Sequence, residues 1–306
     1  MFLRFLLVVV LVLHSYAAFA SDIVSEVFPL ERNGVKLYLE RMQPSDDAPS
    51  NQILLVHGLT YSSHEFDVNV GDYSFARFLI NNGYAVWLLD IAGYGRSEKV
   101  PDGFMTNSDS AAEDIAAAAK LIIETSGQGK TDVLGWSWGT VTGGRFAAKY
   151  PDMVRKLVLY APILAGLADI EVTDPYIIPN WAHAASDFQV KEDKTIDYDI
   201  VEPIVADTFL SNCWRYDGAG SPNGGRRDLL VSPENRLIPT ASIKVPTLMI
   251  LGDKDEYIGV DLCKETLGSL PESSALEVIP GAAHAMMMEK PYYKAFREAV
   301  LKFLQN

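Results

Sequence analysis

Residues 135–139 read Gly-Trp-Ser-Trp-Gly, between a strand-like run, Thr131–Leu134, and a helix-forming run, Thr140–Lys149. A serine on a tight strand-to-helix turn has its hydroxyl lifted clear of a sheet. The flanking positions must be small, because such a turn leaves no room for a side chain. The helix that follows would aim its first amides and its positive end at a developing negative charge. The pattern alone also arises by chance, and its position between strand and helix is what gives it weight. The chemistry it points to is attack by Ser137 on a carbonyl.

A serine hydroxyl needs a base within hydrogen-bond reach, and the base needs an orienting acid. The chain has five histidines. His14 lies in an N-terminal apolar leader, His57 ends a strand before the serine, His64 follows in the next loop, and His183 falls in a region without strand character. Only His284 follows the serine at the end of a strand-like run, in Pro280-Gly281-Ala282-Ala283-His284. It is the predicted base, in the chain order serine, acid, histidine. The acid is expected on the loop Leu251-Gly252-Asp253-Lys254-Asp255-Glu256, with Asp255 favoured and Asp253 as the alternative. The other aspartate would then be a turn former.

These side chains need a frame. Ser25–Leu30 and Val35–Met42 read as a hairpin turned by Asn33-Gly34, a pair suited to positive φ. Ile53–Val56, Tyr84–Leu89, Thr131–Leu134, Arg155–Tyr160, Pro246–Leu251 and Ala275–Ile279 read as strands. Helical stretches separate them: Tyr73–Asn82, Ser108–Glu124, Thr140–Lys149, Val260–Leu270 and Tyr292–Leu304. This alternation predicts a mostly parallel sheet flanked by helices. From 163 to 243 the rhythm breaks into a stretch rich in Pro, Asp, Tyr and Trp. That insertion between the sixth and seventh core strands reads as a cap over the carboxyl ends of the strands. The expected organisation is therefore a core of 21–162 and 244–306 with a cap of 163–243.

Residues 1–20 stand outside that frame. Arg4 precedes an apolar run, Phe5–Leu13, and Ala18-Phe19-Ala20 ends in a small-x-small pattern before Ser21. This is the layout of a secretory signal peptide, too short for a membrane span. It predicts export to a periplasm or the exterior, with no stable membrane insertion after cleavage. The formal charge of −14 argues against nucleic acid or an anionic membrane as partner. Cys213 and Cys263 either form one disulfide in an oxidising compartment or remain buried thiols. No Cys/His cluster has metal-ligand spacing, and no cofactor is expected.

Taken together, the chain resembles the α/β-hydrolase-fold serine hydrolases from about Val35 to Leu304. The resemblance rests on His57-Gly58, on Asp90 with Gly93, Gly95 and Ser97, on Gly135–Gly139, on Gly252–Asp255, and on Gly281 with His284. It implies a Ser137–Asp255–His284 triad and an oxyanion hole made by the backbone N–H groups of Leu59 and Trp138. His57, Asp90 and Arg96 would then brace loops. The stretch from Gly144 to Pro162 is similar to proline iminopeptidase-like members, although Leu59-Thr60-Tyr61 departs from their glycine and proline after His-Gly. Dehalogenase and epoxide-hydrolase types need an aspartate where Ser137 stands. An aromatic pocket from Trp136, Trp181 and Trp214 would suit a small to medium, largely apolar ester substrate. The alternatives are an aminopeptidase using Glu171 or Glu202, a carbon–carbon bond hydrolase, and a non-catalytic binding protein.

Overall fold

A computed structural model describes residues 22–46 and 49–306. The expected signal peptide lies outside these residues. The chain opens with the hairpin β1 (Ile23–Arg32) and β2 (Val35–Pro44). Asn33 and Gly34 have φ of 52° and 79°, the twist that joins two antiparallel strands in register. Then follow β3 (Asn51–Val56), α1 (Phe75–Ile80), β4 (Tyr84–Asp90), α2 (Ser108–Ser126), β5 (Thr131–Trp136), α3 (Trp138–Lys149) and β6 (Val154–Tyr160). The segment after β6 carries β7 (Tyr176–Ile177), α4 (Trp181–Ala185), α5 (Pro203–Asp217), β8 (Ser221–Pro222) and α6 (Gly224–Leu229). The chain closes with β9 (Thr247–Gly252), α7 (Val260–Leu267), β10 (Ala275–Ile279) and α8 (Tyr293–Gln305).

The main sheet has eight strands in the order β1-β2-β4-β3-β5-β6-β9-β10. Strand β2 runs antiparallel to β1 and β4, and the other pairs are parallel. Every residue of β4, β5 and β9 is buried, because helices cover both faces of a parallel sheet and leave no polar side. From β3 the chain goes outward to β4 and returns to pair β5 on the other side of β3. That reversal opens a crevice at the carboxyl ends of β3 and β5, where α/β proteins place their ligands. Val56 pairs with Gly135 there, so the turn after β3 and the turn after β5 begin side by side.

The segment between β6 and β9 returns to those strand ends. Buried Asp217, the last residue of α5, accepts the Ser62 N–H and Oγ at 3.0 Å, His64 Nε2 at 3.0 Å and the Gly95 N–H at 2.9 Å. One carboxylate thereby joins this segment to two loops of the sheet. Cys213 on α5 and Cys263 on α7 are both free and buried, so the disulfide considered from sequence is absent. Burial pushes the Cys263 thiol up to about 12. Among the described residues no helix is long and apolar enough to cross a membrane.

Candidate active site

Strand β5 ends at Trp136 and α3 begins at Trp138, two residues earlier than the sequence pattern suggests. Ser137 between them has φ 56° and ψ −120°. Left-handed φ costs a non-glycine residue about 1–2 kcal/mol, so the surroundings must hold it. The Ser137 N–H donates to the Tyr160 carbonyl at 3.0 Å, and the Thr140 hydroxyl donates to the Ser137 carbonyl at 2.6 Å. A Cβ on Gly135 would stand 2.0 Å from the Gly139 carbonyl oxygen, and one on Gly139 would stand 2.3 Å from that of Val56. These contacts explain the two glycines that flank the serine.

The loop after β10 turns at Gly281, φ 86°, and brings His284 to the same cavity wall as Ser137. His284 Nδ1 donates to Asp255 Oδ2 at 2.8 Å, and Asp255 Oδ1 accepts the Tyr257 N–H at 2.9 Å. Asp253 instead accepts the Gly281 N–H at 2.7 Å, so the carboxylate that reaches the imidazole is that of Asp255. With Nδ1 engaged, Nε2 is left to act as acceptor. Burial works against a charged imidazole here. The charge and hydrogen bond of Asp255 outweigh it, and the His284 pKa stands above its ordinary value.

Other residues fix the loop. The His284 carbonyl accepts from Trp136 Nε1 at 3.1 Å and Tyr160 Oη at 2.7 Å. The Ala283 N–H donates to the buried Glu289 carboxylate at 3.0 Å. Ser137 and His284 line one cavity of about 180 Å³ without a direct hydrogen bond between them. Unliganded sites commonly close such a gap when substrate binds.

The turn after β3 forms the facing wall. A Cβ on Gly58 would lie 3.3 Å from Ser137 Cβ, and Leu59 lines the cavity. The Trp138 amide opens α3, and an N–H in the first helical turn has no acceptor within its own helix. His57 is a brace. Its Nδ1 donates to the Gly58 carbonyl at 2.8 Å and its Nε2 accepts the Ile91 N–H at 3.0 Å. Complete burial lowers its pKa and keeps the ring neutral. Asp90 accepts the Ser63 N–H at 3.0 Å and the Arg96 N–H at 2.9 Å, so Asp90 and Arg96 also hold loops.

The aromatic wall differs from the expectation. Trp136 lines the cavity. Trp138 is fully buried and donates Nε1 to Ser108 Oγ at 2.9 Å. Trp181 is 52% exposed and lines an outer groove that shares His284 and Asp187 with the cavity. Trp214 is 40% exposed on α5, away from the cavity. Besides Trp136, the cavity is lined by Tyr257, His183 and two acids. Glu65 accepts the Gly58 N–H at 2.8 Å, and burial drives its carboxyl well above the usual range. Burial, aided by the charge of Asp255 and opposed by His284, pushes Asp187 up to about 6. Arg226, on α6, lines it too.

Residues 47–291 match the serine aminopeptidase S33 family. The chain belongs to that family. Its relatives within the wider fold carry several names. A putative non-heme chloroperoxidase of Synechocystis sp. is 27% identical over 76% of this chain and 84% of its own length. A bifunctional esterase/perhydrolase of Acinetobacter calcoaceticus is 25% identical over 83% of this chain and 91% of its own. Among solved structures, a bromoperoxidase from Bacillus anthracis superposes with a TM-score of 0.67 at 20% identity, covering 92% of this chain and all of the other. The S33 chain is thus an α/β-hydrolase-fold hydrolase, as its sheet order and its turn at Ser137 imply.

Proposed function

We propose that the protein is an exported serine esterase acting on small carboxylic esters through an acyl-enzyme. One relationship carries the reading. Ser137, forced into left-handed φ, faces the same cavity as His284, whose Nδ1 is held by Asp255. In the proposed first step Ser137 Oγ attacks the ester carbonyl carbon and its proton passes to His284 Nε2. The oxyanion is received by the Leu59 and Trp138 amides. His284 then returns the proton to the leaving alcohol. Water, deprotonated by His284, cleaves the acyl-enzyme and frees the acid and Ser137. The cavity of about 180 Å³ has room for about six waters at liquid density, which suits a short acyl chain.

The aminopeptidase reading needs a carboxylate facing the substrate amine. Glu171 is exposed and Glu202 accepts the Tyr73 phenol at 3.0 Å, and neither lines the cavity. The acids that do line it, Glu65 and Asp187, are both pushed toward their neutral forms, which weakens recognition of an ammonium. A carbon–carbon bond hydrolase could use the same three side chains.

The test has three parts. A fluorophosphonate should label Ser137 in the wild type and leave Ser137→Ala unlabelled. 4-Nitrophenyl esters of graded acyl length should be turned over far faster than proline or alanine 4-nitroanilides, and Ser137→Ala should lower turnover by about a thousandfold or more with unchanged circular dichroism. Faster cleavage of the anilides would overturn the ester assignment. For export, the secreted form should begin at Ser21 by intact mass.

A further inference from the structure

The cavity holds a cation that no carboxylate answers. Arg226 lines it from α6. Among the described residues this guanidinium forms no salt bridge. Its partners are neutral oxygens: Asn223 Oδ1 and, at 2.8 Å, Thr60 Oγ1. The charged or chargeable groups that act on it are the Tyr61 and Tyr94 phenols. Glu65 and Asp187 line the same cavity and make no ion pair with it. Burial lowers the pKa of Arg226, so the charge is held at a cost. A desolvated charge without a counter-ion is uncommon unless a ligand supplies the counter-ion.

The placement is built. Gly224 and Gly225 let α6 descend onto the core: a Cβ on Gly225 would stand 2.5 Å from the Trp138 ring, and one on Gly224 would stand 2.4 Å from the Thr106 carbonyl oxygen. Thr60, which receives Arg226, also contacts His183 Nε2 at 3.0 Å. Burial and the neighbouring Arg226 lower the His183 pKa, so that ring stays neutral and does not compete for an anion. Thr60 is β-branched yet has φ 79°, and it follows Leu59 directly. Arg226 is thus one hydrogen bond from the residue next to a proposed oxyanion donor.

Resting on the esterase reading, we infer that Arg226 is the specificity-determining residue for substrates that carry a free carboxylate beside the scissile ester. The planar guanidinium matches a carboxylate in paired hydrogen bonds, and its remaining N–H groups have no partner among the described residues. On a chain with a formal charge of −14, attraction for an anion must be local, and this position supplies it inside the cavity.

The experiment compares monoethyl glutarate with its uncharged isostere ethyl 5-methylhexanoate, as the ratio of kcat/KM within each enzyme. The wild type should favour the charged ester. Arg226→Gln should lower that ratio roughly 10- to 100-fold, and Arg226→Lys should recover part of it. If Arg226 merely braces Thr60, both esters lose rate together and the ratio is unmoved, which overturns the inference. A wild-type ratio near one overturns it as well. Glutarate binding by isothermal titration separates this from the fate of the esterase reading. Binding that Arg226→Gln abolishes upholds the anion site even if neither ester is cleaved. Absence of glutarate binding to the wild type, with the neutral ester turned over, sinks the anion site and leaves the esterase standing.

Discussion

Trp136 donates its indole N–H to the backbone carbonyl of His284 at 3.1 Å. The residue before the proposed nucleophile therefore holds the backbone of the proposed base. Tyr160 Oη donates to the same oxygen at 2.7 Å, and the two rings stack with their planes 8° apart. His284 is gripped twice: its ring by Asp255, its carbonyl by the ends of β5 and β6.

Trp136→Phe keeps most of the stacked surface and removes one donor. Turnover should fall about 3- to 30-fold and stability by about 1 kcal/mol, measured by steady-state kinetics and urea unfolding. An unchanged kcat would mean that this tether does not set the position of the base.

Asp255→Asn should lower kcat by about 10⁴-fold, because the imidazole loses its preferred tautomer and its counter-charge. The base must be neutral to act, so activity is lost as pH falls through the His284 pKa. Asp255 raises that pKa against the opposing effect of burial. The acid limb of the wild-type pH–rate profile should lie above the ordinary histidine value of about 6.5, and the residual activity of Asp255→Asn should show it at lower pH.

Glu65 carries a carboxyl whose pKa burial raises far above the usual range. For such an acid, stability present below the unfolded pKa declines as pH rises toward the folded one. Glu65→Gln keeps an acceptor for the Gly58 N–H without that dependence, so thermal melting should show it gaining on the wild type between pH 5 and pH 8. Glu65→Ala strands the amide and should cost about 1–3 kcal/mol at every pH.

Asp217 shows the opposite sign. Burial raises its pKa, but the His64 hydrogen bond and charge and the Ser62 and Gly95 amides outweigh that, and it ends below the usual value. Its stabilisation is present above the unfolded pKa and is lost as pH falls through the folded one. Asp217→Asn should destabilise by about 3 kcal/mol at pH 7 in chemical denaturation, with the gap to wild type shrinking in acid below pH 4.

The frame was legible where local chemistry decides it. Asn33-Gly34 announces its hairpin, unbroken apolar runs announce buried strands, and the glycines around Ser137 announce the turn. The cavity wall was not. Glu65, Asp187 and Arg226 stand far apart in the chain and belong to no periodic pattern, and what makes them notable is desolvation, which only packing reveals. The tryptophans misled for a related reason. Composition marks Trp181 and Trp214 as pocket material, yet Trp181 reaches only the outer groove from α4, and Trp214 faces outward on α5, whose orientation is fixed by how Asp217 docks its end.

The absence of space at Gly135 and Gly139 has a further effect. Because α3 lies directly against the backbone of β3, the hydroxyl-bearing bend and the strip holding Leu59 behave as one casting with no play between its parts. Evolution, or an engineer, seeking a new substrate range would gain little by editing that block. Residues 163–243 bring Asp187 and Arg226 to the cavity without belonging to the main sheet, so substitutions there can reshape the cavity wall and leave that block untouched.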